Sequence, residues 1–196
     1  MTGTYDWNPM PHKVDILCPQ CNELAVFEFA ELVRIKLKKD IPFFQDSDLF
    51  EYHAFSDSCG HKWHAAIYFA GLHGSSVNAI SDLPENYKPD HWAHSKYLTR
   101  SNETYLGSYA CPACKTNNKH TLQWPEDAYY SIEHKGKVLW AFNRESATDL
   151  YDFLNGSTRK VDNFKWQHFL LHIPTVFKTA KARDSVVKKL AKLLET

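Results

Sequence analysis

Two Cys-Pro-x-Cys turns, Cys18-Pro19-Gln20-Cys21 and Cys111-Pro112-Ala113-Cys114, restrict what this chain can fold into more than any other feature. Two thiols separated by two residues on a tight turn can both reach one tetrahedral ion at about 2.3 Å. Two such turns supply four thiolates, a closed shell for Zn²⁺, and a metal held in that way adds folding energy directly. One C-x-x-C is weak evidence of a metal site, whereas two with proline in the same slot are strong. Each turn runs on into a strand-like segment, CPQCNELAVFEF and CPACKTNNKHTLQW, with about 90 residues between them. The pattern predicts two halves of one zinc ribbon, with Cys18, Cys21, Cys111 and Cys114 as its ligands and Zn²⁺ as its ion.

A second assignment uses the same cysteines differently. Cys18 and Cys21 would bind with Cys59 and His61 from SCGHKWH, and Cys111 and Cys114 would recruit His120 and one more group. That arrangement leaves the second site without an obvious fourth ligand. Reduced cysteines that only pack are the third reading. Both metal readings nevertheless expect closed shells of protein ligands, so that no water is activated. Five cysteines, four of them in these pairs, fit a reducing compartment better than a disulfide framework. No apolar run approaches the roughly 20 residues of a membrane span. The opening MTGTYDWNPMPHKVDILC has neither the basic start nor the apolar stretch of a secretory leader. The expectation is a cytoplasmic protein without a membrane partner.

Between the turns, Val33, Ile35 and Leu37 alternate with Arg34, Lys36 and Lys38, which predicts a strand with the apolar set inward. Residues 41–48 read as a loop, 49–55 and 63–70 as strands joined through Ser58-Cys59-Gly60, and 72–90 as a long connection. After the second turn, 120–124 reads as a short strand. Residues 129–134 and 137–142 read as a hairpin around Lys135-Gly136. Asn143 can cap a helix over about 144–154 that buries Leu150, Phe153 and Leu154, with Gly156 past its end in a left-handed conformation. A last helix from Thr175 to Leu194 puts Val176, Phe177, Ala180, Val187, Leu190 and Leu194 on one side, and breaks near Arg183-Asp184. The fold class is α+β: a zinc ribbon with a β-rich insert over residues 1–142, and a helical C-terminal part over 143–196.

Eleven histidines raise the question of catalysis. Asp90-His91 followed by CPACKTNNK resembles the end of a zinc-bound HNH nuclease, in which a histidine activates water beside a divalent cation. Nothing apolar and strand-like precedes Asp90, and the asparagine expected between the two motifs has no clear place. A metal-dependent nuclease or hydrolase around His91 is therefore the alternative reading. The other reading makes His61, His64, His73, His91 and His94 ordinary polar or half-buried residues, set among the aromatics Trp63, Tyr68, Trp92 and Tyr97. No pair has the i, i+4 helical spacing of a metalloenzyme.

Bulk charge selects no partner, since 23 Lys and Arg balance 23 Asp and Glu. The distribution is uneven: residues 157–196 hold nine basic residues against three acidic ones. Lys178, Lys181, Arg183, Lys188 and Lys189, with Lys192, could meet nucleic-acid phosphates as a stripe on the last helix. Alternatively they are the solvated face of an amphipathic helix.

From CPAC onward, the pieces HTLQWPEDAYY, GKVLWAFNRES and HIPTVFKTAKARDSVVKKL resemble an uncharacterised bacterial family of zinc-ribbon-containing proteins. The likeness covers residues 111–194 best and the opening CPQC less securely. It implies zinc binding at Cys111 and Cys114, and brings no activity with it. The functional expectation is a non-enzymatic zinc-ribbon binding protein whose partner is nucleic acid or another protein.

Overall fold

Residues 10–57, 59–94, 105–158 and 160–195 are described by a computed structural model, with the backbone alone at 93 and 94. The segment ahead of Met10, Ser58 and Tyr97 lie outside the described residues. The strands are β1 (Lys13–Leu17), β2 (Leu24–Phe29), β3 (Glu31–Ile35), β4 (Glu51–Ser56), β5 (Lys62–Tyr68), β6 (Ala93–His94), β7 (Leu106–Cys111), β8 (Thr116–Thr121), β9 (Ser131–His134) and β10 (Lys137–Trp140). The helices are α1 (Ile41–Asp46), α2 (Ala70–His73), α3 (Arg144–Asn155), α4 (Gln167–Leu171), α5 (Thr175–Lys178) and α6 (Ala180–Leu194). The fold is α+β. No helix among the described residues is long and apolar enough to cross a membrane.

The strands form three sheets, ordered β1-β2-β7-β8, β4-β5-β3-β6 and β9-β10. By contact the chain divides into Met1–Val26 with Gln123–Thr196, and Phe27–Leu122. That division falls within β2. The line drawn at residues 142/143 from the sequence followed secondary structure, whereas the contacts group the β9–β10 hairpin with the helices.

In the unit Phe27–Leu122, β3 pairs antiparallel with β5, which pairs with β4. Residues of opposite parity point to opposite faces. Val33, Ile35, Ala66 and Tyr68 pack on one face with Phe44, Phe50 and Tyr87. Leu32, Ala65 and Ile67 pack on the other with Ala30 and Phe69. A strand covered on both sides loses its polar alternation, which is why Ala65 to Tyr68 are buried without a break. Val33 and Ile35 face inward as expected, but Leu37 lies beyond the end of β3 and is exposed.

The stretch expected as a loop at 41–48 contains α1. Pro42 sits in its first turn, where its missing N–H is no loss, and Phe44 is buried below it. The connection over 72–90 is mostly irregular, as expected, and is pinned by Tyr87. That buried phenol donates to Asp40 at 2.8 Å and accepts the N–H of Lys36 at 3.1 Å.

In the other unit, β9 and β10 form the expected hairpin, with His134 opposite Lys137. Lys135 and Gly136 both take positive φ, 53° and 70°, the geometry that matches a two-residue turn to strand twist. Asn143 caps α3 in a reciprocal box: its side chain accepts the N–H of Ser146 at 3.0 Å, and the Ser146 hydroxyl accepts the N–H of Asn143 at 3.0 Å. Leu150, Phe153 and Leu154 are buried as expected. Gly156 is not left-handed; it is extended at φ −66°, and its N–H still closes the helix on the Asp152 carbonyl.

The terminal helix breaks earlier than Arg183-Asp184. Thr179 is extended, its hydroxyl donates back to the Val176 carbonyl, and its own carbonyl receives the N–H groups of Ala182 and Arg183. The buried stripe of α6 is Ala182, Val186 and Leu190, so the expected stripe was right at Phe177, in α5, and at Leu190, and mis-phased at Ala180, which is exposed, and at Val187, which is only half-buried. α6 packs along α3 and against β9. Trp124, Trp140, Phe142, Trp166 and Phe169 form a ring cluster in this unit with centroids 5.0 to 6.5 Å apart.

Candidate metal centre

Each Cys-Pro-x-Cys turn joins two antiparallel strands of the first sheet. In the first, the N–H of Cys18 bonds the Glu23 carbonyl at 2.8 Å, and the N–H of Asn22 bonds the Cys18 carbonyl at 2.9 Å. The second closes β7 onto β8, with Cys111 opposite Thr116. The residue after the second cysteine has positive φ in both turns, 61° at Asn22 and 58° at Lys115. That left-handed step returns the chain to its strand. Asparagine tolerates the conformation readily, whereas lysine does so seldom. The repetition of one backbone shape at two distant places explains why the two segments look alike in sequence.

The sulfurs of Cys18, Cys21, Cys111 and Cys114 all lie within 4.8 Å of one another. Four thiolates at about 2.3 Å from a tetrahedral ion sit about 3.8 Å apart, which falls inside that limit. Cys18 and Cys111 are buried, and Cys21 and Cys114 are more accessible. The N–H of Gln20 points at the Cys18 sulfur at 3.4 Å, the kind of contact that supports a thiolate.

Charge decides what the cluster can be. Two thiolates about 4 Å apart repel by roughly 4 kcal/mol at an effective dielectric of 20. A cation placed among four thiolates offsets that repulsion. With a divalent cation the set is complete, and no position is left for substrate or water. The chemistry of the donors fits a soft or borderline ion such as zinc, and fits poorly with calcium or magnesium, which select oxygen.

The competing assignment of the cysteines does not hold. Cys59 and His61 group with Asp57 and not with Cys18 and Cys21. His120, on β8, sits edge-on between Phe27 and Tyr109, with ring centroids 6.1 and 5.9 Å away, and is outside the cysteine group. Three other histidines of the insert are engaged locally. His64 shares a 2.6 Å hydrogen bond with Tyr52, and His73 stacks on Tyr68 at 5.0 Å. His91 is exposed, with Nδ1 3.0 Å from the Asn86 carbonyl oxygen. Among the described residues, neither His91 nor Asp90 belongs to a group able to hold a metal.

Of the basic residues proposed to meet phosphate, Lys181, Lys188 and Lys189 are exposed on α6 and Arg183 is half-buried. Lys189 donates to the Glu133 carbonyl at 3.1 Å, and the Lys178 ammonium lies 6.0 Å from the Phe153 ring centre. Asp57 is the ligand-type residue that sequence reasoning missed. The signal was present as alternation, Asp57, Cys59 and His61 at every second position.

Comparison with family models, with curated proteins and with solved structures gives no match. What can be said of the class therefore rests on the site: an α+β protein carrying a four-cysteine group able to hold a metal ion.

Proposed function

We propose that the four cysteines hold a structural Zn²⁺ that ties the two turns of a zinc ribbon together, and that the protein acts as a binding module and not as an enzyme. The observation that carries this reading is the convergence of the four sulfurs. A four-thiolate shell has no open position, so the ion contributes stability and not Lewis-acid chemistry. The likeness of residues 111–194 to bacterial zinc-ribbon proteins agrees with the reading and adds no activity. No observation favours the His91 nuclease over it.

Elemental analysis tests the metal. One zinc per chain is expected in the wild type, with loss in Cys111→Ser. Iron in its place, or zinc retained in full by the variant, would refute the assignment. Apparent binding energies of structural zinc, about 10–16 kcal/mol, match or exceed the whole stability of a typical domain. A strong chelator should therefore abolish cooperative melting of the ribbon.

The partner we favour is nucleic acid, met by the exposed face of α6 that carries Lys181 and Lys188. Asp184 lies on the same exposed side and dilutes its charge. Contacts to two or three phosphates would give an affinity that falls with salt at a slope of about −2 to −3 in logarithmic terms on duplex DNA. Lys181→Glu with Lys188→Glu should remove that binding. A gel shift insensitive to the double variant would sink the proposal.

A further inference from the structure

The second ligand-type group lies on the hairpin between β4 and β5. Ser56 pairs with Lys62, and Asp57, Cys59 and His61 occupy alternate positions of the segment between them. Their ligand atoms all lie within 4.8 Å of one another. The loop holds them there by its own backbone. Asp57 Oδ1 accepts the N–H of Cys59 at 2.9 Å and of His61 at 2.8 Å. The N–H of Gly60 bonds the Asp57 carbonyl at 2.9 Å, and the N–H of Asp57 bonds the His61 carbonyl at 3.0 Å. Gly60 takes φ +81° between the two other ligands, a conformation that turns the chain and that few side chains tolerate. One carboxylate oxygen thus fixes the loop and leaves the other, Oδ2, for an ion.

That second oxygen is 3.4 Å from His61 Nδ1. The distance is too long for a good N–H···O hydrogen bond. It is, however, the edge of a tetrahedron whose metal–ligand bonds are about 2.1 Å, the length of zinc bonds to imidazole and carboxylate. Cys59 completes a face of three different donors, and the exposed loop leaves the fourth position to water.

We propose that Asp57, Cys59 and His61 form a second, exchangeable site for a borderline divalent ion such as zinc, cobalt or nickel. One thiolate, one imidazole and one carboxylate select such ions over calcium and magnesium. Three ligands on a solvent-facing loop hold an ion less firmly than a closed four-thiolate shell, so this site loads and empties while the first stays filled. The inference does not rest on the identity or role of the ion among the other four cysteines.

The test is a Co²⁺ titration of the full-length protein as isolated, its bound metal measured before and after. The expected result is one further equivalent of Co²⁺ with a sulfur-to-cobalt absorption band, and no loss of the metal already present. Cys59→Ser and His61→Ala should each weaken that step by more than about tenfold, since even outer partners of a ligand are worth 10–100-fold. Both positions are exposed on a hairpin tip, so both variants should keep the wild-type melting temperature. Absence of a second equivalent overturns the proposal, as does displacement of the original metal in its place. Loss in Cys59→Ser with full retention in His61→Ala would reduce the site to a single thiol, and also overturns it.

Discussion

Gly107 lies in β7, four residues before Cys111, at a place where the backbone of β2 comes unusually close. A Cβ built there would meet the Glu28 carbonyl oxygen at 2.3 Å and Phe27 Cζ at 2.3 Å. Its φ is not in the left-handed region, so alanine meets no backbone strain and the effect is purely steric. Ordinary contact begins near 3.4 Å, which leaves a shortfall of about 1.1 Å on each neighbour. Phe27 is fully buried, and the Glu28 oxygen belongs to a strand, so neither yields without disturbing the sheet. Overpacking of this kind costs about 1–3 kcal/mol, and more when backbone must move. We take about 3 kcal/mol for Gly107→Ala. For a unit of roughly 100 residues that lowers the melting temperature by about 12–24 °C. Gly71→Ala is the control, because the nearest atoms there are the Ser108 hydroxyl and a Glu28 carboxylate oxygen, both on side chains that can rotate. It should shift melting by only a few degrees. Differential scanning calorimetry of both variants decides the matter. If Gly107→Ala melts within about 2 °C of wild type, the close approach of β2 and β7 is not as described.

Two further predictions concern the unit that contains α3. Asn143→Ala removes the side-chain half of the capping box and leaves the backbone N–H of residue 143 on the Ser146 hydroxyl; it should cost about 1 kcal/mol in urea unfolding, whereas Asn143→Asp should cost much less; equal losses would show that the cap is not the cause. Asp15 accepts the N–H of Arg144 at 2.8 Å, yet burial raises its carboxyl above the ordinary range by more than that bond and the Arg144 charge lower it. The folded state therefore holds the proton more tightly than the unfolded state. The stability from this group is present in full below about pH 3.9 and is lost as pH rises through the raised folded value. Asp15→Asn keeps an acceptor for Arg144 and cannot ionise, so its stability relative to wild type should grow with pH across that window; a flat or opposite trend would contradict the account.

Local rules made several elements legible before any coordinates. The β9–β10 hairpin follows from Lys135-Gly136, and α3 follows from Asn143 with the spacing of Leu150, Phe153 and Leu154. Both depend on neighbours within a dozen residues. The failures share a different origin. Helix α1 was hidden because Ile41, Pro42, Phe43 and Phe44 give no period, and only the burial of Phe44 under a distant Tyr87 makes the turn worth forming. The break at Thr179 goes with a hydroxyl that bonds the Val176 carbonyl, whereas the cap-type side chain of Asp184 pointed to a break four residues later. The phase of α6 was set by what it packs on, not by its own pattern: Ala182 faces inward and Val187 is left half-buried.

The four-cysteine group was legible for a reason that does not extend to the rest of the molecule. Metal ligands must be few, of fixed chemistry and fixed spacing on a turn, so they survive as a pattern even across some 90 residues of insert. The second group breaks that rule in one respect. Asp57 serves the backbone with one oxygen and faces His61 with the other, and the first task is common to every Asp-initiated turn. A carboxylate doing loop work hides its second lone pair from any reading by spacing. The backbone between ligands carries the same lesson: Asn22 and Lys115 share one left-handed geometry although nothing in a lysine announces it. What the two turns have in common is a shape imposed by closing a strand pair around two thiols, and the sequence records that shape only through the cysteines themselves.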